Sequence, residues 1–246
     1  MRLAVISDIH GNLAALEAVL ADIAERGVDA IVNLGDCVTS PLWPRETFDR
    51  LAELDLPTVR GNHDRWIVDR PEAELSPAGR FAREALTRAQ RAALYALPAT
   101  LEVAPDILAI HGTPTDDSTY LLEEAVDGRL APAPRSTLAT RLGTAARPGG
   151  VMLCGHSHRQ ALVRGPEDCT ILNPGSVGCP VFADSPAASG LEYRSPHARY
   201  AILTLRRGRW GAELLALDYD WDLAARRAAE NGRPDWAAAL TSGAVR

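Results

Sequence analysis

The sequence predicts an α/β protein on a mainly parallel sheet, and three observations carry that prediction. Short apolar runs alternate with stretches of helical periodicity. Each early run is followed by a polar loop and then by a helix, the pattern of βαβ units. Clusters of Asp, Asn and His fall directly after the runs, where open α/β sheets bind ligands at the carboxyl ends of their strands.

Leu3, Val5 and Ile6 read as a buried strand, and Ser7-Asp8-Ile9-His10-Gly11-Asn12 as the loop after it. Leu13, Leu16, Val19, Leu20 and Ile23 recur at helical spacing until Gly27 ends the helix. Residues 30–34 form a second strand ending in Gly35-Asp36. A helix over about 45–54, a strand at Thr58-Val59 and a loop from Arg60 to Asp64 follow. Residues 76–96 read as helical, and strands at 101–103 and 107–110 flank a turn at Pro105-Asp106. Residues 115–149 are less regular, with Pro132, Pro134 and Pro148 as breakers. Further strands are expected at 151–154, 160–164, 170–173, 199–206 and 210–217, then a helical tail from Trp221. The Pro/Ser/Ala-rich stretch 183–198 reads as a long surface loop. No repeat or linker divides the 246 residues, so a single domain spanning 1–246 is expected.

Composition excludes several classes. A net charge of −6 with scattered arginines and no lysine is the wrong balance for gripping long nucleic acid. No apolar run approaches the ~20 residues that span a bilayer. The start is too short in its apolar part and too acidic for a signal peptide, so a cytoplasmic protein is expected. Cys37, Cys154, Cys169 and Cys179 form no C-x-x-C pair and read as small buried side chains. The self-association state is left open by the sequence, although 183–198 and the apolar tail offer surface for a homo-oligomer.

Five of the six histidines, His10, His63, His111, His156 and His158, lie in the post-strand loops; His197 does not. Imidazole nitrogen with hard carboxylate oxygen suits Mn, Fe, Zn, Co or Ni better than Ca or Mg alone. Taken singly, Asp8-x-His10, Gly35-Asp36 or a His beside a Gly has an ordinary explanation as a turn or a satisfied strand end. Gly61-Asn62-His63-Asp64 is harder to dismiss, since its chance occurrence in a chain this long is on the order of one in a thousand.

The ordered series Asp8-x-His10, Gly35-Asp36, Gly61-Asn62-His63-Asp64, His111-Gly112 and Gly155-His156-Ser157-His158 resembles the calcineurin-like metallophosphoesterase superfamily. The motif-bearing part is 3–178, with 199–246 as closing strands and helical tail. The resemblance implies a four-layer α/β/β/α sandwich of two mixed sheets flanked by helices, with two divalent metal ions at the rim. By the same resemblance, Asp8, His10 and His158 hold one ion, and Asn62, His111 and His156 the other. Asp36 bridges both, and His63 faces the substrate. A water made acidic by the ions would attack phosphorus as hydroxide, and protonated His63 would donate a proton to the leaving oxygen. Asp64 either supports His63 or is structural.

Three further residues are candidate substrate contacts: Asn12 after the first motif, Arg60 through its planar fork, and Tyr120. Tyr120 has two readings, a stacking face for a nucleobase and a core filler beside Leu121 and Leu122. The turn Gly175–Gly178 likewise either offers N–H groups to phosphate or shapes a tight turn.

Within the superfamily, His10-Gly11-Asn12-Leu13 and Asn173-Pro174-Gly175-Ser176 are similar to small prokaryotic phosphodiesterases and dinucleoside-polyphosphate hydrolases. Asp36 is followed by Cys37-Val38-Thr39, without the Asp-Arg-Gly of the serine/threonine phosphatases and symmetrical tetraphosphatases. The expected function is therefore binuclear, metal-dependent hydrolysis of small phosphate esters or nucleotides, with Mn²⁺ the expected ion in vitro. The alternatives are a broad phosphomonoesterase and a protein-interaction scaffold of the same fold.

Overall fold

A computed structural model describes residues 1–126, 129–181 and 194–244. The first unit follows directly from its side chains. Strand β1 (Arg2–Ile6) sends Leu3 and Val5 to one face and Ala4 and Ile6 to the other, as period-two alternation requires. Helix α1 (Leu13–Arg26) begins at Asn12, whose Oδ1 accepts the Ala15 N–H at 3.2 Å. It ends at Gly27, which takes a φ of 62° and donates its N–H to the Ile23 carbonyl. Between those caps, Ala15, Leu16, Val19 and Ile23 form the buried stripe.

The elements that follow are β2 (Ala30–Asn33), α2 (Pro44–Leu54), α3 (Asn62–Asp69), α4 (Pro77–Ala85) and α5 (Arg88–Ala96). Next come β3 (Thr100–Ala104), β4 (Ile107–Ile110), β5 (Glu123–Val126), β6 (Arg129–Pro132) and α6 (Arg135–Leu142). The chain continues through β7 (Val151–Leu153), β8 (Ala161–Arg164), β9 (Thr170–Asn173), β10 (Ala198–Arg206) and β11 (Arg209–Leu217). Helices α7 (Trp221–Glu230) and α8 (Pro234–Ser242) complete it.

Two large mixed sheets stack, one in the order β11-β10-β1-β2 and the other β3-β4-β7-β9-β8. The layer between them joins Leu3, Val5, Val32, Ala201 and Leu203 to Ile107, Ala109, Val151, Leu153 and Leu172. Outside the first sheet, Ala4, Ile6, Tyr200 and Ile202 pack on the stripe of α1. Outside the second, Met152 and Ile171 pack on Leu138 and Leu142 of α6. This is the expected α/β/β/α sandwich, with apolar side chains on both faces of each central strand.

Three expectations need correction. The sheets are mixed, as the resemblance implies, and not mainly parallel as the local pattern reads: β1–β2, β4–β7 and β7–β9 are parallel, whereas β10 returns antiparallel to β1 and pairs antiparallel with β11. A two-residue turn between β10 and β11 allows only an antiparallel hairpin. Thr58-Val59 makes a single parallel bridge from Thr58 to Asn33, with no strand around it. The Asn62–Asp64 segment opens α3, because the Asp64 carboxylate accepts the Gly61 N–H at 3.0 Å and caps the helix. In the expected surface loop, 183–193 lies outside the described residues. The apolar tail packs on its own chain, with Ala224, Ala228, Trp236 and Leu240 against Leu42, Ala78 and Cys179.

One buried polar contact ties the first layer together. Tyr200 is fully buried, and its hydroxyl donates to Asp22 on α1, which also accepts from Arg26 Nε at 2.6 Å. Burial raises the Asp22 pKa, but the hydrogen bonds from Arg26 and Tyr200 outweigh it and hold the carboxyl below its ordinary 3.8. A depressed carboxylate stabilises the fold above its unfolded pKa and loses that contribution as pH falls through the folded value. Tyr200→Phe should therefore cost about 1–2 kcal/mol in urea unfolding at pH 7. The gap from wild type should narrow below about pH 4; an unchanged gap in acid would contradict the linkage.

Candidate metal centre

The ligand-type residues converge where β1, β2, β4 and β7 end. Asp8 and His10 follow β1, Asp36 follows β2, His111 follows β4, and His156 and His158 follow β7. Asn62 and His63 arrive on the first turn of α3. Backbone hydrogen bonds stitch these loops together: Asp8 N to Gly35 O at 2.9 Å, His10 N to Asp36 O at 2.9 Å, and Gly155 N to His111 O at 2.8 Å. The approach is so close that a Cβ on Gly61 would overlap Asp36, and one on Gly178 would overlap the Ile9 carbonyl.

Five of these residues are left-handed: Asp8 (φ 54°), His10 (46°), Asp36 (55°), His156 (67°) and His158 (59°). Each such conformation costs on the order of 1 kcal/mol, and strain of this kind collects at functional sites. It is held in place by the loop-to-loop bonds above. The result is two groups of possible ligand atoms, Asp8/His10/His158 and Asp36/His111/His156, each within 4.8 Å of one another.

The imidazoles are aimed from behind. His10 Nδ1 lies 3.0 Å from the Thr39 carbonyl, His111 Nδ1 2.7 Å from the Leu34 carbonyl, and His158 Nδ1 2.7 Å from the Cys179 carbonyl. A carbonyl only accepts, so each Nδ1 carries the hydrogen and each Nε2 points forward, the second-shell arrangement of metal-binding histidines. His156 is turned round: its Nε2 donates to the Ser118 carbonyl at 3.0 Å, which leaves Nδ1 inward. The forward atoms crowd. His10 Nε2 and His158 Nε2 are 3.2 Å apart, and Asp8 Oδ1 lies 3.3 Å from His158 Nε2. Asp36 Oδ2 sits between the groups, 3.3 Å from His111 Nε2 and 3.7 Å from His10 Nε2. Asn62 Oδ1 is 3.0 Å from His111 Nε2.

Titration reflects this crowding. Burial drives His10 down to about 3, with the His158 and His63 charges adding to the effect against the pull of Asp36. Burial also opposes charge on His111, yet Asp36 raises it to about 10. For Asp8, burial opposes ionisation, and His158 nevertheless lowers its pKa to about 2. Asp8 and Asp36 therefore stay ionised while protons on His111 and His158 compensate them, a charge-balancing place that divalent cations can take; Asp64, behind Asp36, is instead raised by burial and by the Asp36 charge to about 7. The donor set of nitrogens, carboxylates and one amide oxygen fits such ions. Burial pushes the Cys37 and Cys154 thiols well up, so neither offers a thiolate.

The other site expectations divide. His63 N donates to Asp36 Oδ1 at 2.9 Å, and its ring packs edge-on to His10 at 5.3 Å and against Trp66 at 4.8 Å. Tyr120 lies against His156 with ring centroids 4.6 Å apart, at the rim. Asn12 is corrected: it is fully buried, its Oδ1 caps α1, and its Nδ2 donates to Gly178 O and Tyr219 Oη. Arg60 is corrected too, since its guanidinium lies over the Tyr95 ring and donates to the Tyr95 carbonyl at 2.7 Å. Asp64 accepts from the N–H groups of Asp36, Cys37 and Gly61 at 2.9–3.0 Å, which makes it a positioning residue for the Asp36 turn. The Gly175–Gly178 turn spends its donors on the first loop, with Val177 N on Ser7 O and Ser176 Oγ on Asp8 O. Sequence reading missed the carbonyls of Leu34, Thr39, Ser118 and Cys179, which fix the imidazoles; backbone acceptors leave no mark in a sequence.

This fold and these opposed ligand groups define a metal-dependent phosphoester hydrolase. The chain belongs to the calcineurin-like phosphoesterase superfamily, whose domain profile matches residues 1–195. It is similar to the uncharacterized protein MJ0912 of Methanocaldococcus jannaschii, 26% identical over 95% of this chain and 94% of that protein. In fold it is similar to a metallophosphoesterase from Sphaerobacter thermophilus, with a TM-score of 0.74 and 24% identity over 99% of this chain and 100% of that one. The hypothetical protein PH1004 of Pyrococcus horikoshii also superposes with a TM-score of 0.74, at 18% identity over 100% of this chain and 99% of that one. Among the described residues no helix is long and apolar enough to cross a membrane.

Proposed function

We propose that the chain hydrolyses small phosphate diesters or nucleotide and dinucleoside-polyphosphate linkages at a binuclear centre. The observation that carries this reading is Asp36, whose Oδ2 faces imidazoles of both ligand groups at 3.3 and 3.7 Å. Asp8, His10 and His158 would hold one ion, Asn62, His111 and His156 the other, and Asp36 would serve both. The ions are divalent, with Mn²⁺ the one expected to restore activity. When bound, they supply Lewis acidity to phosphate oxygens and make a water acidic enough to ionise near neutral pH. The neutral Asn62 oxygen limits negative charge on one side, and His63 holds the proton destined for the leaving oxygen. Tyr120 borders the substrate and offers it a stacking face. We read the chain as one domain, since β10 and β11 complete the sheet that β1 starts.

The test is hydrolysis by metal-stripped protein with and without Mn²⁺, on a nitrophenyl phosphodiester, the matching monoester and a dinucleoside polyphosphate. Turnover should return with the ion and be fastest on a diester or polyphosphate. Uptake should release protons and weaken as pH falls, because His111, with a pKa of about 10, must give up its proton. Two bound ions without turnover on any substrate would favour the scaffold alternative. No bound ion would end the proposal.

A further inference from the structure

His156 is the least enclosed of the histidines placed as ligands: the others are buried, and it is half-buried. Its orientation depends on the Ser118 carbonyl, which belongs to a partly exposed segment, 114–119, between β4 and β5. That segment is internally turned, with Thr113 N on Asp116 O, Ser118 N on Asp116 Oδ1, and Thr119 Oγ1 on Asp116 Oδ2. Buried Thr113 and the close approach of the Asp116, Asp117 and Thr119 carbonyls to Gly112 root the segment beside His111. A side chain of α3 ties its outer part to the helix. Arg65 Nε and Nη2 donate to the two carboxylate oxygens of Asp117 at 2.8 and 2.7 Å, and Nη2 reaches Ser118 Oγ at 3.3 Å. Arg65 Nη1 is tied back to Asp69 on α3 at 3.1 Å.

We infer that Arg65, through its bidentate bond to Asp117, is a positioning residue for the second metal site. Its helix carries Asn62 on the first turn, and its partner segment carries the carbonyl that orients His156. One guanidinium therefore links the two elements that carry Asn62 and the carbonyl orienting His156, while Asp8, His10 and His158 are aimed without it. The planar fork matters, because two parallel bonds fix a direction that a single ammonium contact does not. This inference rests on the binuclear reading above.

The experiment is a Mn²⁺ titration of metal-stripped protein, with free ion followed by electron paramagnetic resonance. Wild type should take up two ions. Arg65→Met and Asp117→Asn should keep the first at wild-type affinity and hold the second about 10–100-fold more weakly, the usual cost of losing an outer-shell partner. Arg65→Lys should fall between. Excess Mn²⁺ should restore kcat in Arg65→Met, which a general loss of fold would not allow. Both ions held as in wild type, or both weakened alike, would overturn the role of Arg65. Wild type binding fewer than two ions would instead sink the binuclear reading beneath it.

Discussion

Asp36→Asn should abolish high-affinity uptake of both ions together. The carboxylate faces His10 on one side and His111 on the other, and an amide brings only one neutral oxygen to the same place. The loss per ion should exceed the about 100-fold typical of an outer-shell change, and turnover should disappear with it. Metal analysis after dialysis, with a titration to saturating Mn²⁺, would check this. Retention of one tightly bound ion would contradict the bridging role. The substitution also removes the negative charge that raises His111, so the variant should bind fewer protons in its metal-free state.

His63→Ala should leave both ions in place while cutting turnover of poor leaving groups by about 10²–10⁴-fold, the range for a lost general acid. Nitrophenyl esters should suffer much less, because a nitrophenolate departs without a proton. The contrast is the informative quantity, measured as kcat for an alkyl and a nitrophenyl ester in wild type and variant. Equal losses on both, with the ions retained, would remove the proton-donor role. The geometry explains why metal binding should survive. What His63 gives Asp36 is its backbone N–H, at 2.9 Å, and alanine keeps that group. Burial lowers the pKa of the ring in the free site, so the negative charge of a bound phosphate is what would restore its proton. Trp66 packs tilted against His63, its ring centroid 4.8 Å away, and carries the Arg70 guanidinium over its own ring at 3.6 Å.

Two residues show where reading from sequence fails, and a third shows where it leaves two roles open. Asn12 and Arg60 each stand beside a motif, whereas Asp64 belongs to one and reads either as support for His63 or as structural. In the folded chain Asn12 is consumed as a helix cap and a strut to Gly178 and Tyr219. Arg60 points to Tyr95, and Asp64 brackets the Asp36 turn from beneath. Neighbouring residues in a tight loop face opposite directions, so proximity along the chain cannot say which of them meets the substrate.

The candidate ligand set and most of the elements are legible in the sequence. The imidazole and carboxylate set follows from five short motifs, and β1 and α1 follow from period-two and helical spacing with Asn12 and Gly27 at the helix ends. Such signals are local, and local physics sets them. Which ring nitrogen faces inward was settled by packing in the tertiary structure, since the carbonyls of Leu34, Thr39, Ser118 and Cys179 come from three segments remote from the histidines they orient, and any residue type would supply them. The antiparallel return of β10 onto β1, and the reach of Arg65 across 52 residues to Asp117, were likewise decided there. Contacts of that kind are made by backbone paths brought together through packing, and packing is a property of the whole chain.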